Sequence, residues 1–161
     1  MTISLGDRLP DANLLRMTDE GPETVSLAGK LSGRKVVIFA VPGAFSNTCH
    51  VAHMPSFIRT KDGFAEKGVD EIICLAVNDP FVMRSWAEAT GADAAGISCL
   101  ADADGSFAKA VGQDFDADVI GFYGRSKRYA MYVEDGVVKV FHPEVTRGCE
   151  VSSGEALLEA I

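Results

Sequence analysis

Two runs of consecutive apolar residues stand out in the first half of the chain. Residues 35–41 (Lys-Val-Val-Ile-Phe-Ala-Val) and residues 71–77 (Glu-Ile-Ile-Cys-Leu-Ala-Val) are rich in β-branched side chains, which is typical of strands buried on both faces. Residues 97–101 predict a shorter third strand. Because helical patterns separate these runs, they predict strands of a sheet whose central part is mostly parallel.

The segment after the first strand predicts a helix with a defined start. Pro42 and Gly43 end the extended run, and Asn47 or Thr48 can cap a helix that begins near Cys49. Pro55 lies inside this helical pattern and is expected to divide it into a short first part and a longer second part.

Further helices follow the second and third strands. Asp79-Pro80 opens a helix through Met83 and Trp86, and residues 106–111 predict a shorter one. Near the end of the chain, Asp135-Gly136 joins two β-patterned segments into a hairpin. Residues 153–160 predict a final helix.

This order of elements is that of an α/β protein with a thioredoxin-like fold, although other α/β folds could accommodate it. We expect a central mixed β-sheet flanked by helices, with a C-terminal β-hairpin and helix. Since no internal repeat or low-complexity linker interrupts the pattern, residues 1–161 are predicted to form a single domain.

Composition and net charge disfavour some classes of binding partner. Of the 161 residues, 47% are hydrophobic and 24% are charged, which is ordinary for a globular domain. The formal charge of -8 disfavours nucleic acid and anionic membrane surfaces as partners. The chain has neither a long apolar run nor a basic N-terminal stretch followed by one, so we expect a cytoplasmic protein that does not bind membranes.

The four cysteines are far apart in the chain, so each must be judged by its surroundings. Cys74 and Cys99 lie in apolar strand patterns, where burial makes a thiol inert. Cys49 lies where a helix begins, and free N–H groups with the positive end of the helix dipole stabilise a thiolate there. Cys49 is therefore the candidate nucleophile, against the alternative of a small buried side chain.

His50 and His53 leave a different chemistry open. Cys49 and His53 are four residues apart on the predicted helix, so they could share a face as metal ligands or as a nucleophile and its base. Neither a cysteine-rich partner for zinc nor a third orienting group for a hydrolase is recognisable in the sequence. These two alternatives are therefore less favoured.

A resemblance to a known family distinguishes these options. The spacing Pro42-x-x-x-Ser46-x-x-Cys49 resembles the active-site motif of peroxiredoxins. The longer match is similar to the peroxiredoxin 5 subfamily, including the plant type II enzymes. It extends over nearly all of the chain through residues 41–49, His53 to Phe57, residues 67–74, residues 77–83 with Trp86, and residues 125–129 with Asp135-Gly136.

The resemblance implies a thiol-dependent peroxidase that reduces hydrogen peroxide and alkyl hydroperoxides without a cofactor or metal. It implies that Cys49 attacks the peroxide and becomes a sulfenic acid, with Ser46 and Arg128 as hydrogen-bond donors. Pro42 would shape the loop, and His53 would support the site. Spacing alone does not choose Arg128 over its basic neighbours Arg125 and Lys127; the resemblance selects it.

The resemblance leaves open how the sulfenic acid is reduced. Cys149 lies beside Gly148, in a segment expected to be exposed, and is the candidate resolving thiol. Cys74 matches the second cysteine of the plant type II pattern, but its strand context predicts burial. The family also includes one-cysteine enzymes recycled by glutaredoxin, glutathione or thioredoxin, and this external route is slightly favoured.

Two further expectations concern assembly and alternative function. By analogy with the subfamily we expect a homodimer, with exposed apolar side chains such as Phe45 as contacts, although Phe45 could equally pack within one chain. The alternative function is a peroxide-sensing redox relay that uses the same thiol without efficient turnover.

Overall fold

The structure is a computed structural model that describes residues 2–146 and 148–161. The strands are β1 (Asn13–Thr18), β2 (Gly21–Ser26), β3 (Lys35–Ala40), β4 (Glu71–Ala76), β5 (Ser98–Ala101), β6 (Asp114–Ala117), β7 (Phe122–Ser126), β8 (Tyr129–Glu134) and β9 (Val137–Pro143). The helices are α1 (Leu27–Leu31), α2 (Met54–Glu66), α3 (Pro80–Thr90), α4 (Ser106–Ala110) and α5 (Gly154–Ala160), with a π-helical turn at Cys49–His53 and a 3₁₀ turn at Asp118–Ile120.

The main sheet is mixed, as the sequence predicts, and has the strand order β2-β1-β5-β4-β3-β8-β9. Only β3 with β4 and β4 with β5 pair in parallel; the outer pairs are antiparallel. The three strands expected to form the parallel central part, β3, β4 and β5, are therefore parallel, and the antiparallel pairs lie outside them. β1–β2 and β8–β9 are hairpins, whose short turns permit only antiparallel pairing. The antiparallel pairs β1–β5 and β3–β8 join segments that are distant in the chain.

The core lies on both faces of β3 and β4. Alternate side chains of a strand point to opposite faces. Val37 and Phe39 of β3 therefore join the apolar cluster that contains Phe57 of α2 and Trp86 of α3. Ile38 belongs to the other cluster, which includes Leu27 and Leu31 of α1 and Phe107 of α4. Helices thus cover both faces of the sheet.

Several predicted elements are confirmed together with their local signals. The Asp79 side chain accepts a hydrogen bond from the Val82 N–H at 2.9 Å and caps α3, whose first residue is Pro80. In the β8–β9 hairpin, Asp135 and Gly136 both have positive φ angles, 47° and 78°. This is the left-handed backbone that a tight hairpin turn requires.

Two hairpins were missed by sequence reasoning. β1 and β2 form one edge of the main sheet, and β6 and β7 form a separate two-stranded sheet. Their residues are mostly half-buried or exposed, so they lack the continuous apolar run that identifies β3 and β4.

In the part of the chain that the structure describes, the helices are too short or too polar to span a bilayer.

Candidate active site

Cys49 lies in the first turns of the helical segment that follows β3. Residues 47 and 48 are already helical, and the His50 N–H donates to the Ser46 carbonyl at 2.9 Å. The Thr48 side chain makes no capping hydrogen bond, so the predicted capping role of Asn47 or Thr48 is wrong. Asn47 and Thr48 lie inside the helix, because the helix begins before Cys49, where the sequence predicted its start.

The helix has the short first part and the longer second part expected around Pro55, although it is not interrupted between them. The turn Cys49–His53 is π-helical, with the Met54 N–H donating to the Cys49 carbonyl, and α2 continues directly from it. Because proline has no N–H, it cannot complete an α-helical bond to the carbonyl four residues earlier. The wider π turn accommodates this gap and keeps the helix continuous, in a position where such turns often mark functional sites.

The Cys49 sulfur is fully buried, yet it has polar partners. The Ser46 hydroxyl lies 2.9 Å from Sγ, and Arg128 Nη2 donates to Sγ at 3.0 Å. The Ser46 hydroxyl also lies 2.6 Å from the Gly43 carbonyl oxygen. Its single hydrogen can therefore turn from that carbonyl to Sγ when sulfur becomes negative.

Arg128 reaches this site because of strand pairing. β8 runs antiparallel to β3, and Ala40 is paired with Tyr129, so the residue before β8 lies beside the end of β3. The guanidinium is almost completely buried and forms a fork. Nη2 donates to Cys49 Sγ, and Nη1 donates to His53 Nδ1 at 2.9 Å. One planar cation thus contacts both the thiol and the histidine.

The partners of His53 determine its tautomer. Arginine can only donate, so His53 Nδ1 is the acceptor, and Nε2 must carry the proton that is donated to the Ser152 carbonyl at 2.9 Å. Burial, and then the charge of Arg128, lower the pKa of His53 to about 3. The ring is therefore neutral at physiological pH.

This geometry disfavours the metal and hydrolase alternatives. Both His53 nitrogens are engaged, so the ring neither accepts the Cys49 proton nor offers a lone pair to a metal. His50 Nδ1 accepts a hydrogen bond from Trp86 Nε1 at 3.0 Å and is likewise occupied. Among residues 2–146 and 148–161, no group of three metal-binding side chains comes together.

Arg125 contacts the active-site loop rather than the thiol. Its Nη1 donates to the Pro42 carbonyl at 3.2 Å, and the guanidinium lies over the Phe122 ring. Gly43 lies beneath these side chains, where a Cβ atom would be 2.9 Å from Arg125 Nη1. Arg128 is therefore the basic residue of this segment that touches Cys49, and Pro42 is held in the loop through its carbonyl.

Phe45 forms the outer edge of the site. Its φ of 65° places it in left-handed backbone, and its side chain is 50% exposed. The ring stacks on that of His50, with 5.9 Å between the centroids. Phe45 therefore has an intramolecular contact and also presents apolar surface to solvent.

The two strand cysteines are neighbours on β4 and β5. Cys74 is buried as predicted, and burial raises the pKa of its thiol. Cys99, its partner in the register, is half-buried and lines a surface cavity of about 530 Å³, so the expectation that it is buried is wrong. This cavity lies where residues at the end of β1, such as Thr18, and of α3, such as Glu88, face the start of β5.

Cys149 is less accessible than the sequence predicts, because it is half-buried rather than exposed. Burial raises the pKa of its thiol. The segment is held against the protein by Glu144, whose carboxylate accepts hydrogen bonds from the N–H groups of Glu150 and Ser152. Arg147, in the same segment, lies outside the described residues.

Ser152 and Glu144 belong to this site and were not recognised from the sequence. Ser152 contributes its main-chain carbonyl, which every residue type has, so side-chain identity gives no signal. Glu144 lies far from the motif around Cys49 in the chain. Only the contact between the C-terminal segment and His53 reveals both residues.

The chain is similar to known proteins over nearly its whole length. The family model described as Redoxin matches residues 4–158. The chloroplastic peroxiredoxin-2E-2 of Oryza sativa subsp. japonica is 43% identical over 99% of this chain and 73% of that protein. The crystal structure of reduced Prx3 in complex with H₂O₂ from Vibrio vulnificus has a TM-score of 0.92 and 44% identity, covering 99% of both chains. Peroxiredoxin 5 from Alvinella pompejana has a TM-score of 0.85 and 32% identity, covering 98% of this chain and 97% of that one.

Proposed function

This chain belongs to the peroxiredoxin family and is a thiol-dependent peroxidase, and we propose that Cys49 is the residue that attacks the hydroperoxide. The observation that carries the proposal is the pair of donors on its sulfur, Ser46 at 2.9 Å and Arg128 at 3.0 Å. Such donors stabilise a thiolate, which is the reactive form of cysteine.

In the proposed reaction, an electron pair moves from the Cys49 sulfur to the departing oxygen of the peroxide. The Cys49 thiolate attacks the hydroxyl oxygen of the hydroperoxide, an S–O bond forms, and the O–O bond breaks. The departing alkoxide or hydroxide takes a proton and leaves as alcohol or water, and sulfur remains as sulfenic acid. Negative charge moves from sulfur to the departing oxygen, so Arg128 and Ser46 donate to the atoms where charge develops.

We propose hydrogen peroxide and small alkyl hydroperoxides as substrates. The Vibrio vulnificus relative was solved with H₂O₂, which supports the first of these. The reacting sulfur is fully buried beneath Ser46 and Arg128. A small peroxide therefore fits this site better than a bulky one.

For the return to thiol we propose an external reductant: thioredoxin, glutaredoxin or glutathione. The reductant thiol attacks the Cys49 sulfenic acid, releases water and forms a mixed disulfide, which a second thiol then reduces. The surroundings of the other cysteines support this route. Cys74 is buried and Cys149 is held in a half-buried segment, and burial raises the pKa of both thiols.

We also propose that the protein is a homodimer in the cytoplasm. Phe45, Val119 and Tyr123 expose large apolar side chains, and Val119 is 95% exposed. The hairpin that carries Val119 packs on the active-site loop through Phe122 and Gly43. Light scattering after size exclusion should give twice the monomer mass for wild type and a lower mass for Val119→Lys. A monomeric wild type would overturn the proposed dimer.

The cytoplasmic location is a separate proposal, and fractionation of cells that produce the protein tests it.

Peroxide consumption tests the enzymatic proposal. Wild type should turn over many equivalents of peroxide with a thioredoxin or glutaredoxin system, whereas Cys49→Ser should turn over none. Cys99→Ser is the matched control, because Cys99 lies in the sheet away from the donors on Cys49, and it should keep wild-type turnover. Oxidation that stops after one equivalent would overturn the enzyme and support the redox relay instead.

A further inference from the structure

Glu144 connects two parts of the chain that meet behind the active site. Its main-chain N–H donates to the Arg128 carbonyl at 3.0 Å. Its carboxylate Oε2 accepts hydrogen bonds from the Glu150 N–H at 3.0 Å, the Ser152 N–H at 3.1 Å and the Ser152 hydroxyl at 2.6 Å. One residue therefore fixes Ser152 in relation to the main chain of Arg128.

The position of Ser152 matters because its carbonyl oxygen is the acceptor for His53 Nε2. Ser152 is completely buried, and so is His53. Since Nε2 must carry the histidine proton, Nδ1 keeps its lone pair free to accept from Arg128 Nη1. The other arm of the same guanidinium donates to Cys49. A continuous series of hydrogen bonds thus runs from Glu144 to the reacting sulfur.

We propose that Glu144 is a positioning residue for the peroxidase reaction: through Ser152 and His53, its carboxylate sets the orientation in which Arg128 meets Cys49. The inference rests on the proposed role of Cys49. It gives the C-terminal segment, which also carries Cys149, a function in the first half of the catalytic cycle.

The alternative is that Glu144 only stabilises the local fold. The two roles differ in what they do to Arg128. A local stabiliser leaves the guanidinium in place as long as the protein is folded, whereas a positioning residue changes the donors on Cys49 even in the folded variant. Burial alone would raise the pKa of Glu144, but the Ser152 hydroxyl and the N–H groups of the segment lower it, so the carboxylate is charged at neutral pH.

The experiment compares Glu144→Ala and Glu144→Gln with Glu150→Ala. Glu150 is exposed and contributes only its N–H, which the control retains, so this variant removes the same charge from the same segment. For each folded variant, kcat/KM for hydrogen peroxide is measured. The pH at half-maximal alkylation of Cys49 by iodoacetamide is measured separately by mass spectrometry.

Glu144→Ala should lower kcat/KM by up to roughly 100-fold, the effect that a 1 Å misplacement of a catalytic group can have. It should also move the alkylation midpoint to higher pH. Glu144→Gln keeps an acceptor oxygen and should move both quantities less, but in the same direction. Glu150→Ala should match wild type. Wild-type values in both Glu144 variants, or an equal change in the Glu150 variant, would overturn the proposal.

A double variant tests the route through His53. His53→Phe interrupts the series of hydrogen bonds, so adding Glu144→Ala to it should cause no further change in the alkylation midpoint. A full additional shift would show that Glu144 acts independently of His53 and would overturn the route. Alkylation is measured without peroxide. A wild type without turnover would therefore refute the proposed function and still leave the test of Glu144 readable.

Discussion

The Nη2 atom of Arg128 lies 3.0 Å from the Sγ atom of Cys49, although 79 residues separate them in the chain. The antiparallel pairing of β8 with β3 brings the two together at the end of β3. Because both side chains are buried, the charge of the guanidinium acts on the sulfur with little screening by water. Reactivity at Cys49 should therefore depend on the donors that surround it.

Arg128→Lys should lower kcat/KM for hydrogen peroxide by roughly 100-fold or more, the range seen when one donor to a developing charge is removed. Lysine keeps the charge, but it cannot hold Cys49 and His53 in the fixed geometry of a planar fork. The measurement is steady-state peroxide consumption. Lys127→Ala removes a neighbouring exposed cation and should retain wild-type kinetics; an equal loss in both variants would contradict a specific role for Arg128.

Ser46→Ala should lower the rate of Cys49 oxidation roughly 10- to 100-fold, because a hydrogen bond to a charged group contributes about 1.5–3 kcal/mol. Ser46→Thr keeps the hydroxyl and should remain close to wild type. Stopped-flow measurement of a single turnover separates this step from re-reduction. A threonine variant as slow as the alanine variant would show that shape, and not the hydroxyl, matters at this position.

The free energy of unfolding should fall as the pH is lowered from about 6.5 toward 3. The folded pKa of His53 is lowered to about 3, so between these values the unfolded state binds a proton that the folded state does not. This stability is present above the unfolded pKa and is lost as pH decreases. From pH 6.5 to 5 the loss should be about 1.5 kcal/mol.

Urea denaturation at the two pH values measures this difference. In His53→Phe the histidine contribution disappears, so the change between pH 6.5 and 5 should be correspondingly smaller. An unchanged pH dependence in that variant would assign the effect to other groups.

Peroxide alone should leave Cys49 as a sulfenic acid rather than as a disulfide with Cys149. Cys149 is half-buried and its segment is held by Glu144, while Cys49 is fully buried. Mass spectrometry with a sulfenic-acid probe should detect modified Cys49, and Cys149→Ser should keep its turnover with glutaredoxin and glutathione. A Cys49–Cys149 disulfide in high yield would show that the segment detaches and that resolution is internal.

Gly154→Ala should destabilise the protein by about 3 kcal/mol, the upper end of the cost of overpacking. A Cβ atom there would lie 2.4 Å from both the Ser56 carbonyl oxygen and Thr60 Oγ1, where α5 packs on α2. Thermal denaturation measures the loss. Gly29→Ala is the control, because its Cβ would make only ordinary contacts at 3.6 Å within α1, so stability should be equal or higher.

Much of the fold was predictable because its signals are local. The apolar runs of β3 and β4, the Asp79 cap of α3 and the Asp135-Gly136 turn each depend on a few adjacent residues. The β1–β2 hairpin was not predicted, because its strands are largely half-buried or exposed and lack a continuous apolar run. The π turn at Cys49 was also missed, since its wider backbone has no separate residue signature.

The sequence by itself determined which residue types are available and where the reactive one lies. The motif from Pro42 through Ser46 to Cys49 places a thiol at the start of a helix, and the resemblance carried by that motif selected Arg128. These inferences need only short-range spacing and a match to a known pattern.

Only the tertiary structure decided how the site is held together. It brings Arg128 to Cys49 by strand pairing, sets the tautomer of His53, and attaches that histidine to Ser152 and Glu144. It also showed that Cys149 and Cys99 are half-buried. The physical reason is that burial and hydrogen-bond partners arise from contacts between segments distant in the chain, and one of these contacts uses a main-chain carbonyl that every residue possesses.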